Sequence, residues 1–510
     1  MNNSRTFRNF LFLILIGTLL AACYRPSPGT QPWQVSSRIS DPPASLENPT
    51  SAPLLPPTPA PDQPSLSPTP DAPHDLPQLR SKPITYQVRS GDTLGVIARR
   101  HAIDLGTLIA ANPSINPNLL YAGQVLTIPA PQSSSSGSDL KIIPDSELVN
   151  GPYASMFDAR TFIKETSGIL RSYHEEVDEV TYSGSEILRR VAAEYSVNPR
   201  LLLALLEYQS GMVTKNEIKQ KYKDYPLGFE DPYRKGLYLQ LAWAANELNR
   251  GYYLWRVNGI AYLTLADHSL LGLPATLNAG TVGVQNLFAR LYGAKKWQQA
   301  VSAGGLLAVY QNLFGDPFSL GFDPILPDRL TQPSLQLPFA DGDVWSFTSG
   351  PHAGWDDGSA WAALDFGPPG DAFGCYLSHD WVVAAADGKI VRSNNGAVVQ
   401  DLDGDGYEGT GWTLLYMHIA AQDRVPVGTV LKAGDRIGHP SCEGGISNGT
   451  HLHFARRYNG EWISADQALP FVLDGWVSKG AGKEYDGTMT RNKKTVEAFD
   501  GRLPQNQIQR

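Results

Sequence analysis

The sequence predicts a multidomain protein: a small βααβ domain, an all-α middle domain and an all-β, antiparallel-sheet domain, in that order. Three observations carry this. The chain has 510 residues, room for about three domains at roughly 100–200 residues each. Two low-complexity stretches, proline-rich over residues 23–83 and serine-rich over 131–145, separate segments of ordinary globular composition. Finally, the apolar spacing changes from helical over residues 146–335 to short alternating runs broken by turns over 340–475.

The first element is not a domain. Arg5 and Arg8 precede an apolar run of about 11 residues, Phe10 to Leu20. That is too short to span a bilayer comfortably and right for a signal-peptide core, so residues 1–22 are expected to be an export signal. The run ends Leu20-Ala-Ala-Cys23, which resembles the lipobox of bacterial lipoproteins. The resemblance implies a diacylated Cys23 as the mature N-terminus and a membrane as one partner, since two acyl chains hold a protein stably on a bilayer. The segment that follows, with Pro53-Leu-Leu-Pro-Pro-Thr-Pro-Ala-Pro61, cannot bury a core. It is expected to be an extended, semi-stiff tether.

Residues 84–130 read as one compact unit. Tyr86-Gln-Val88 is a short strand, and Ser90-Gly-Asp-Thr93 a turn that caps a helix from Leu94 to His101. A second helix runs from about Leu105 to Asn112, and Gly123-Gln-Val-Leu-Thr-Ile128 closes the unit. With Val88-Arg-Ser-Gly-Asp-Thr-Leu94, Ile109-Ala-Ala-Asn-Pro113 and Leu120-Tyr-Ala-Gly-Gln-Val-Leu-Thr-Ile-Pro129, the whole segment resembles a LysM domain. That resemblance implies binding to the N-acetylglucosamine backbone of peptidoglycan or chitin.

The middle region opens its helices with recognisable signals. Ser183 and Ser185 are cap candidates ahead of Glu186-Ile-Leu-Arg-Arg-Val-Ala-Ala-Glu-Tyr195, and Asn198-Pro199 begins an apolar run to Glu207. Tyr208-Gln-Ser-Gly211 and Leu277-Asn-Ala-Gly-Thr-Val-Gly-Val284 resemble, distantly, the helix end and helix start of lysozyme-like lytic transglycosylases. There a glutamate precedes the serine. Here Gln209 stands in that place and cannot donate a proton to a glycosidic oxygen as a carboxylic acid does. Glu207 lies about 200° around the helix from it and should not substitute. The expectation is a helical, possible glycan-binding relative without lytic activity; a structural spacer is the other reading.

Residues 340–475 carry the chemistry. Strand-like runs include Trp381-Val-Val-Ala-Ala385, Gly388-Lys-Ile-Val-Arg392, Ala397-Val-Val-Gln400 and Trp412-Thr-Leu-Leu-Tyr-Met-His418. In His451-Leu-His453 the two imidazoles share one face of a strand while Leu452 points into packing. A lone His-x-His is a weak signal. Here Gly444-Gly-Ile-Ser-Asn-Gly-Thr450 precedes it, Phe454-Ala-Arg follows, and Tyr416-Met-His418 and Leu364-Asp-Phe366 accompany it. This ordered set, over about 120 residues, resembles the catalytic core of lysostaphin-type zinc endopeptidases of the bacterial cell wall.

The resemblance implies a zinc ion held by one histidine, one aspartate and the second histidine of the pair, with the fourth tetrahedral position for water. Asp365 and His453 match directly. The first histidine usually sits four residues before the aspartate, where this chain has Trp361. Either the site is dead or the ligand is His352, thirteen residues upstream of Asp365. His352-Ala-Gly-Trp-Asp-Asp-Gly-Ser-Ala-Trp-Ala-Ala-Leu-Asp365 is similar to the β-lytic branch of the fold, with a Gly/Ser-rich loop between ligand and aspartate, and this implies His352. His451 then matches the general base and His418 its helper and oxyanion stabiliser, with exchange of the two roles open. His379 and His439 have no place in the pattern and are expected on the surface or in loops.

Two further features stand beside that core. Of three cysteines, Cys375 and Cys442 fall in one domain of an exported chain, which permits a disulfide; two buried thiols are the alternative. Asp401-Leu-Asp-Gly-Asp-Gly406 resembles the start of a calcium loop. Its twelfth position is Trp412 rather than a bidentate glutamate, so an acidic hairpin turn is expected. The tail, 476–510, shows no clear period. The formal net charge of -8 gives no reason to expect nucleic acid as a partner. The sequence therefore points to a zinc-dependent peptidoglycan endopeptidase in the cell envelope. An inactive wall-binding scaffold is the alternative, and a glycan lyase is disfavoured by Gln209.

Overall fold

Alternation builds the smallest unit. Strand β1 (Ile84–Gln87) pairs antiparallel with β2 (Val125–Ile128), and in β2 Leu126 and Ile128 turn inward while Val125 and Thr127 face out. Helices α1 (Leu94–Arg100) and α2 (Leu105–Ala110) lie between them in the chain. Asp104 caps α2 through the Thr107 amide. Asn112 is buried and fastens the closing strand, exchanging hydrogen bonds with both backbone groups of Thr127. The βααβ expectation holds, with each element within two residues of its predicted span. The computed structural model describes His74, Leu76 and residues 80–510, apart from Ser90, Gly91, Ala102, Asn118 and residues 132–134. The expected export signal, Cys23 and most of the proline-rich segment lie outside the described residues, as does part of the Ser90–Thr93 turn.

The middle region is mainly helical. Between the two cap candidates the fold uses Ser183: its side chain and that of Glu186 form a capping box at the start of α3 (Gly184–Tyr195). Asn198 caps α4 (Pro199–Ser210), which ends at Gly211 in a left-handed conformation, φ +73°. The longest helix, α5 (Leu237–Arg256), packs along α6 (Ala279–Leu291). They meet at glycines: a Cβ on Gly251 would stand 2.8 Å from the Gly283 Cα. The all-α expectation needs one amendment. A hairpin (His174–Val177 with Val180–Ser183) and a three-stranded sheet accompany the helices. In that sheet Ser135–Ser136, within the serine-rich stretch, pairs in parallel with Leu271–Gly272. Among the described residues no helix is long and apolar enough to cross a membrane.

The C-terminal region is built on one antiparallel sheet. Its strands are β3 (Val344–His352), β4 (Ala363–Gly367), β5 (Gly388–Asn394), β6 (Ala397–Asp401), β7 (Trp412–Met417), β8 (Val430–Leu431), β9 (Leu452–Tyr458) and β10 (Glu461–Trp462). The order is β8-β5-β6-β7-β9-β4-β3, with β10 paired to β9. The tail, periodless in sequence, is ordered as well. Strands β11 (Trp476–Gly480), β12 (Gly487–Arg491) and β13 (Lys494–Glu497) join Val472–Leu473 in a second sheet. Then β14 (Gln507–Gln509) pairs with the outer edge of β3.

Both faces of the main sheet are covered. Leu364, Phe366, Val398, Leu414, Tyr416, Leu452 and Phe454 belong to a core closed by the tail, which includes Trp476, Met489 and Ile508. On the opposite face Ala363, Ala397, Val399, Leu415, Met417 and Ala455 share one core with the helical domain. Small side chains on that face let the helices approach closely.

Candidate metal centre and its neighbours

β9 and β4 lie side by side with His453 directly opposite Asp365. Period-two alternation that buries Leu452 and Phe454 on one side sends His453 to the other, the face that also carries the helical domain. His352 ends β3, one strand further over. Two register shifts against β4, between Phe347 and Ser349 and between Ser349 and His352, re-aim the strand end. The chain then loops out through residues 353–362 and returns as β4.

These three residues bring ligand atoms to one point. His352 Nε2 lies 3.0 Å from His453 Nδ1 and 3.2 Å from Asp365 Oδ1, and His453 Nδ1 lies 3.3 Å from that oxygen. Each ring's other nitrogen faces a backbone carbonyl: His352 Nδ1 to Gly350 at 2.9 Å, His453 Nε2 to Gly354 at 3.1 Å. Carbonyls only accept, so in neutral rings the protons sit on those outer nitrogens. The inner nitrogens then present lone pairs to each other and to a carboxylate. All three side chains are buried, and Asp365 Oδ1 has no hydrogen-bond partner. A tetrahedral ion with bonds of about 2.0–2.1 Å holds its ligands about 3.3 Å apart. The donor set, its spacing and the orphaned oxygen therefore fit a small divalent cation.

The electrostatics agree. Burial pushes His352 down, but the Asp365 carboxylate outweighs it and the net shift is upward. Burial pushes Asp365 up, and His352 and His451 reverse this, holding the carboxyl well below its usual range. Burial lowers His453.

His418 and His451 complete the cluster from strand ends. His418 directly follows β7 in a left-handed conformation, φ +66°, which only fixed surroundings maintain in a non-glycine residue. Its carbonyl accepts from the amide and hydroxyl of Ser441 at 2.7 and 3.0 Å. His451 stands one residue before β9. The two rings lie 4.5 Å apart, centroid to centroid. His418 Nδ1 is bonded to the Glu443 carbonyl at 3.1 Å and His451 Nδ1 to the Gly449 carbonyl at 2.7 Å, so both Nε2 atoms are left toward the site. His451 Nε2 is 3.7 Å from Asp365 Oδ2. Burial first, then His451 and His453, keep His418 well below the ordinary histidine range and therefore neutral.

Several neighbours carry no sequence signal of their own. The Gly350, Gly354, Glu443 and Gly449 groups act through main-chain oxygens. Tyr485, from the tail, stacks on His352 with centroids 4.8 Å apart; a tyrosine in a periodless segment offers nothing to find it by. Cys375 and Cys442 form a disulfide, Cα to Cα 5.6 Å, joining the segment before β5 to the loop that orients His418 and His451. Trp361 stands outside the cluster, its carbonyl accepting from the Ala465 amide. His379 is exposed. His439 lies in a loop, as expected, but is buried against Trp381 at 4.0 Å.

Two other candidates sit elsewhere. Asp401, Asp403 and Asp405 converge in the turn between β6 and β7. Burial, partly offset by the Gly406 amide and reinforced by Asp403, raises Asp401 to about 7. Trp412, the twelfth position, begins β7 and supplies no carboxylate. In the helical domain Gln209 accepts a hydrogen bond from Tyr292 at 2.6 Å, and Glu207 is engaged by the Val213 and Thr214 amides and the Thr214 hydroxyl. Neither is free for acid catalysis.

Comparison with known proteins places these units. Residues 86–129 match the LysM domain family, residues 141–326 the family described as LasA, N-terminal domain, and residues 374–465 peptidase family M23. The last span includes His418, His451 and His453. Protease LasA of Pseudomonas aeruginosa is 26% identical over 348 residues, 64% of this chain and 75% of that protein. Beta-lytic metalloendopeptidase of Lysobacter enzymogenes is 24% identical over 159 residues, 31% of this chain and 85% of that protein. Among solved structures, the M23 metalloprotease pseudoalterin from the deep sea is 23% identical, covering 33% of this chain and 96% of its own, with a TM-score of 0.27. The chain thus carries a LysM domain and a peptidase family M23 domain and is a homologue of LasA and beta-lytic metalloendopeptidase.

Proposed function

We propose that this protein is an exported, lipid-anchored zinc endopeptidase that hydrolyses peptide bonds in bacterial peptidoglycan. One observation carries the reading: two imidazole lone pairs and a carboxylate oxygen within 3.3 Å of one another, beside two further histidines with free Nε2 atoms. The M23 homology supports a metallopeptidase and the LysM domain a wall glycan partner. The Leu20-Ala-Ala-Cys23 motif supports export and acylation.

In this reading His352, Asp365 and His453 hold the ion. A zinc ion held by these residues would supply Lewis acidity, making an attacking water more acidic and polarising a peptide carbonyl. His451 takes the nucleophile's proton at Nε2, its ring held by Gly449. His418, neutral before reaction, would then take that same proton from His451 at its own Nε2. As an imidazolium it donates to the developing oxyanion and then toward the leaving amine. Burial of His352, His418 and His453 keeps competing water away from these transfers.

The test is metal analysis and digestion with the full-length protein. We expect about one zinc per chain, abolished by His352→Ala, and release of new amino groups from purified peptidoglycan. Wild-type protein without zinc and without amino-group release would leave a wall-binding scaffold. New reducing or anhydro sugar ends would point instead to the helical domain as a glycan lyase.

A further inference from the structure

The loop between His352 and Asp365 is fastened from outside the sheet. Gly354, whose carbonyl holds His453 Nε2, is pressed against Trp462: a Cβ there would meet the indole at 2.6 Å. The Trp462 amide in turn donates to the Tyr253 hydroxyl of α5 at 2.9 Å. Within the loop, the Gly354 amide bonds to the Ala360 carbonyl at 3.0 Å and the Trp355 amide to the Ser359 hydroxyl at 2.8 Å. At its tip the helical domain takes hold. Asn246, buried on α5, accepts from the Gly358 amide at 2.8 Å and donates to Asp357 at 2.6 Å. Arg250 pairs with the same carboxylate, and Tyr195 at the end of α3 donates to Asp356 at 3.0 Å. Gly358 has no room for a side chain, since a Cβ would stand 2.2 Å from the Asn246 carbonyl. Asp356 adopts φ +50°, a conformation that needs external contacts to persist.

We propose that the helical domain is a working part of the metal centre, with Asn246 as a positioning residue: it holds the 354–360 loop so that the Gly354 carbonyl fixes the ring and tautomer of His453. Groups that orient metal-binding histidines typically change metal affinity by 10–100-fold when removed. The proposal rests on His352, Asp365 and His453 being the zinc ligands. It assigns the helical domain a role toward the ion that a spacer or a glycan-binding module would not have.

The experiment measures zinc affinity of the full-length protein by competition with a chelating dye, alongside the unfolding temperature of the metal-free form. Asn246→Asp opposes a second carboxylate to Asp357 and should weaken zinc binding roughly tenfold or more. Combining it with Asp357→Asn exchanges donor and acceptor, keeps the Gly358 contact and should return affinity to the wild-type range. Asp357→Ala removes a side chain that is 67% exposed, cannot unfold the core, and should weaken binding in the same direction. Equal affinity in the wild type and all variants overturns the proposal, as does a loss of metal-free stability with affinity unchanged. A wild type that binds no zinc instead refutes the ligand assignment on which it rests.

Discussion

At the residue scale, the roles of four histidines follow from which ring nitrogen meets a carbonyl. Outward protons on His352 and His453 leave inward lone pairs; the same arrangement on His418 and His451 leaves two Nε2 atoms beside them. In the proposed site, protons and zinc would compete for His352 Nε2. Because Asp365 raises that histidine in the metal-free site despite its burial, the protonated fraction grows already above the ordinary histidine range as pH falls. Zinc affinity should therefore decline as pH is lowered through the neutral range and keep falling below it. Affinity titrations between pH 8 and pH 5 check this; a flat profile contradicts it. His451 and His453 were readable together because strand alternation links i and i+2, and Asp365 because Leu364-Asp-Phe366 resembles a known peptidase core. The carbonyl partners were not, since a main-chain oxygen has no residue type.

At the element scale, the disulfide and the strand ends decide how firmly the non-ligand histidines are held. Cys375–Cys442 closes a separation of 67 residues, which in the loop-entropy account stabilises by about 4 kcal/mol. It anchors the loop whose Glu443 and Gly449 carbonyls orient His418 and His451, and touches neither Gly350 nor Gly354. Replacing both cysteines with alanine should lower unfolding free energy by about 2–4 kcal/mol and reduce kcat, while zinc content stays at one ion per chain. Denaturant unfolding, peptide turnover and metal analysis separate these effects. Helices α3 and α4 were legible because their caps, Ser183 with Glu186 and Asn198 with Pro199, are local. The tail was not. β14 exists because Gln507, Ile508 and Gln509 pair with Ser346, Trp345 and Val344, a contact no window of neighbouring residues contains.

At the scale of the whole molecule, the three units divide the work. The LysM domain would hold glycan and raise the local concentration of peptide around the peptidase domain. Deleting residues 84–130 should slow digestion of insoluble peptidoglycan severalfold or more, yet leave cleavage of a soluble peptide unchanged. Parallel assays on sacculi and on a soluble cross-link peptide read this directly; an equal loss on both would show that the domain supports the catalytic fold instead. The helical and peptidase domains behave differently from that pair, because they share a core. Ala363, Ala397 and Ala455 lie under helices, Tyr252 and Arg256 pair with buried Glu461, and Arg457 donates to the Ala193 carbonyl. A fragment cut between them would expose that face of the sheet.

By itself the sequence determined the order and type of the domains and the pairing of His451 and His453 on one strand face, which follow from local period and composition. Asp365 and His352 were named only through the resemblance to known peptidase cores, since no local period or spacing links them to that pair. Only the tertiary structure decided that the helical domain lies on the face bearing the site, that the tail closes the opposite core and touches His352 through Tyr485, and which carbonyls set the tautomers. The contacts of the helical domain and of Tyr485 with the site join segments more than a hundred residues apart, and even the carbonyls nearer in sequence reach their rings only once the strands and loops are packed. Free energy there comes from buried area and hydrogen-bond geometry in three dimensions, and residues adjacent along the chain leave no trace of it.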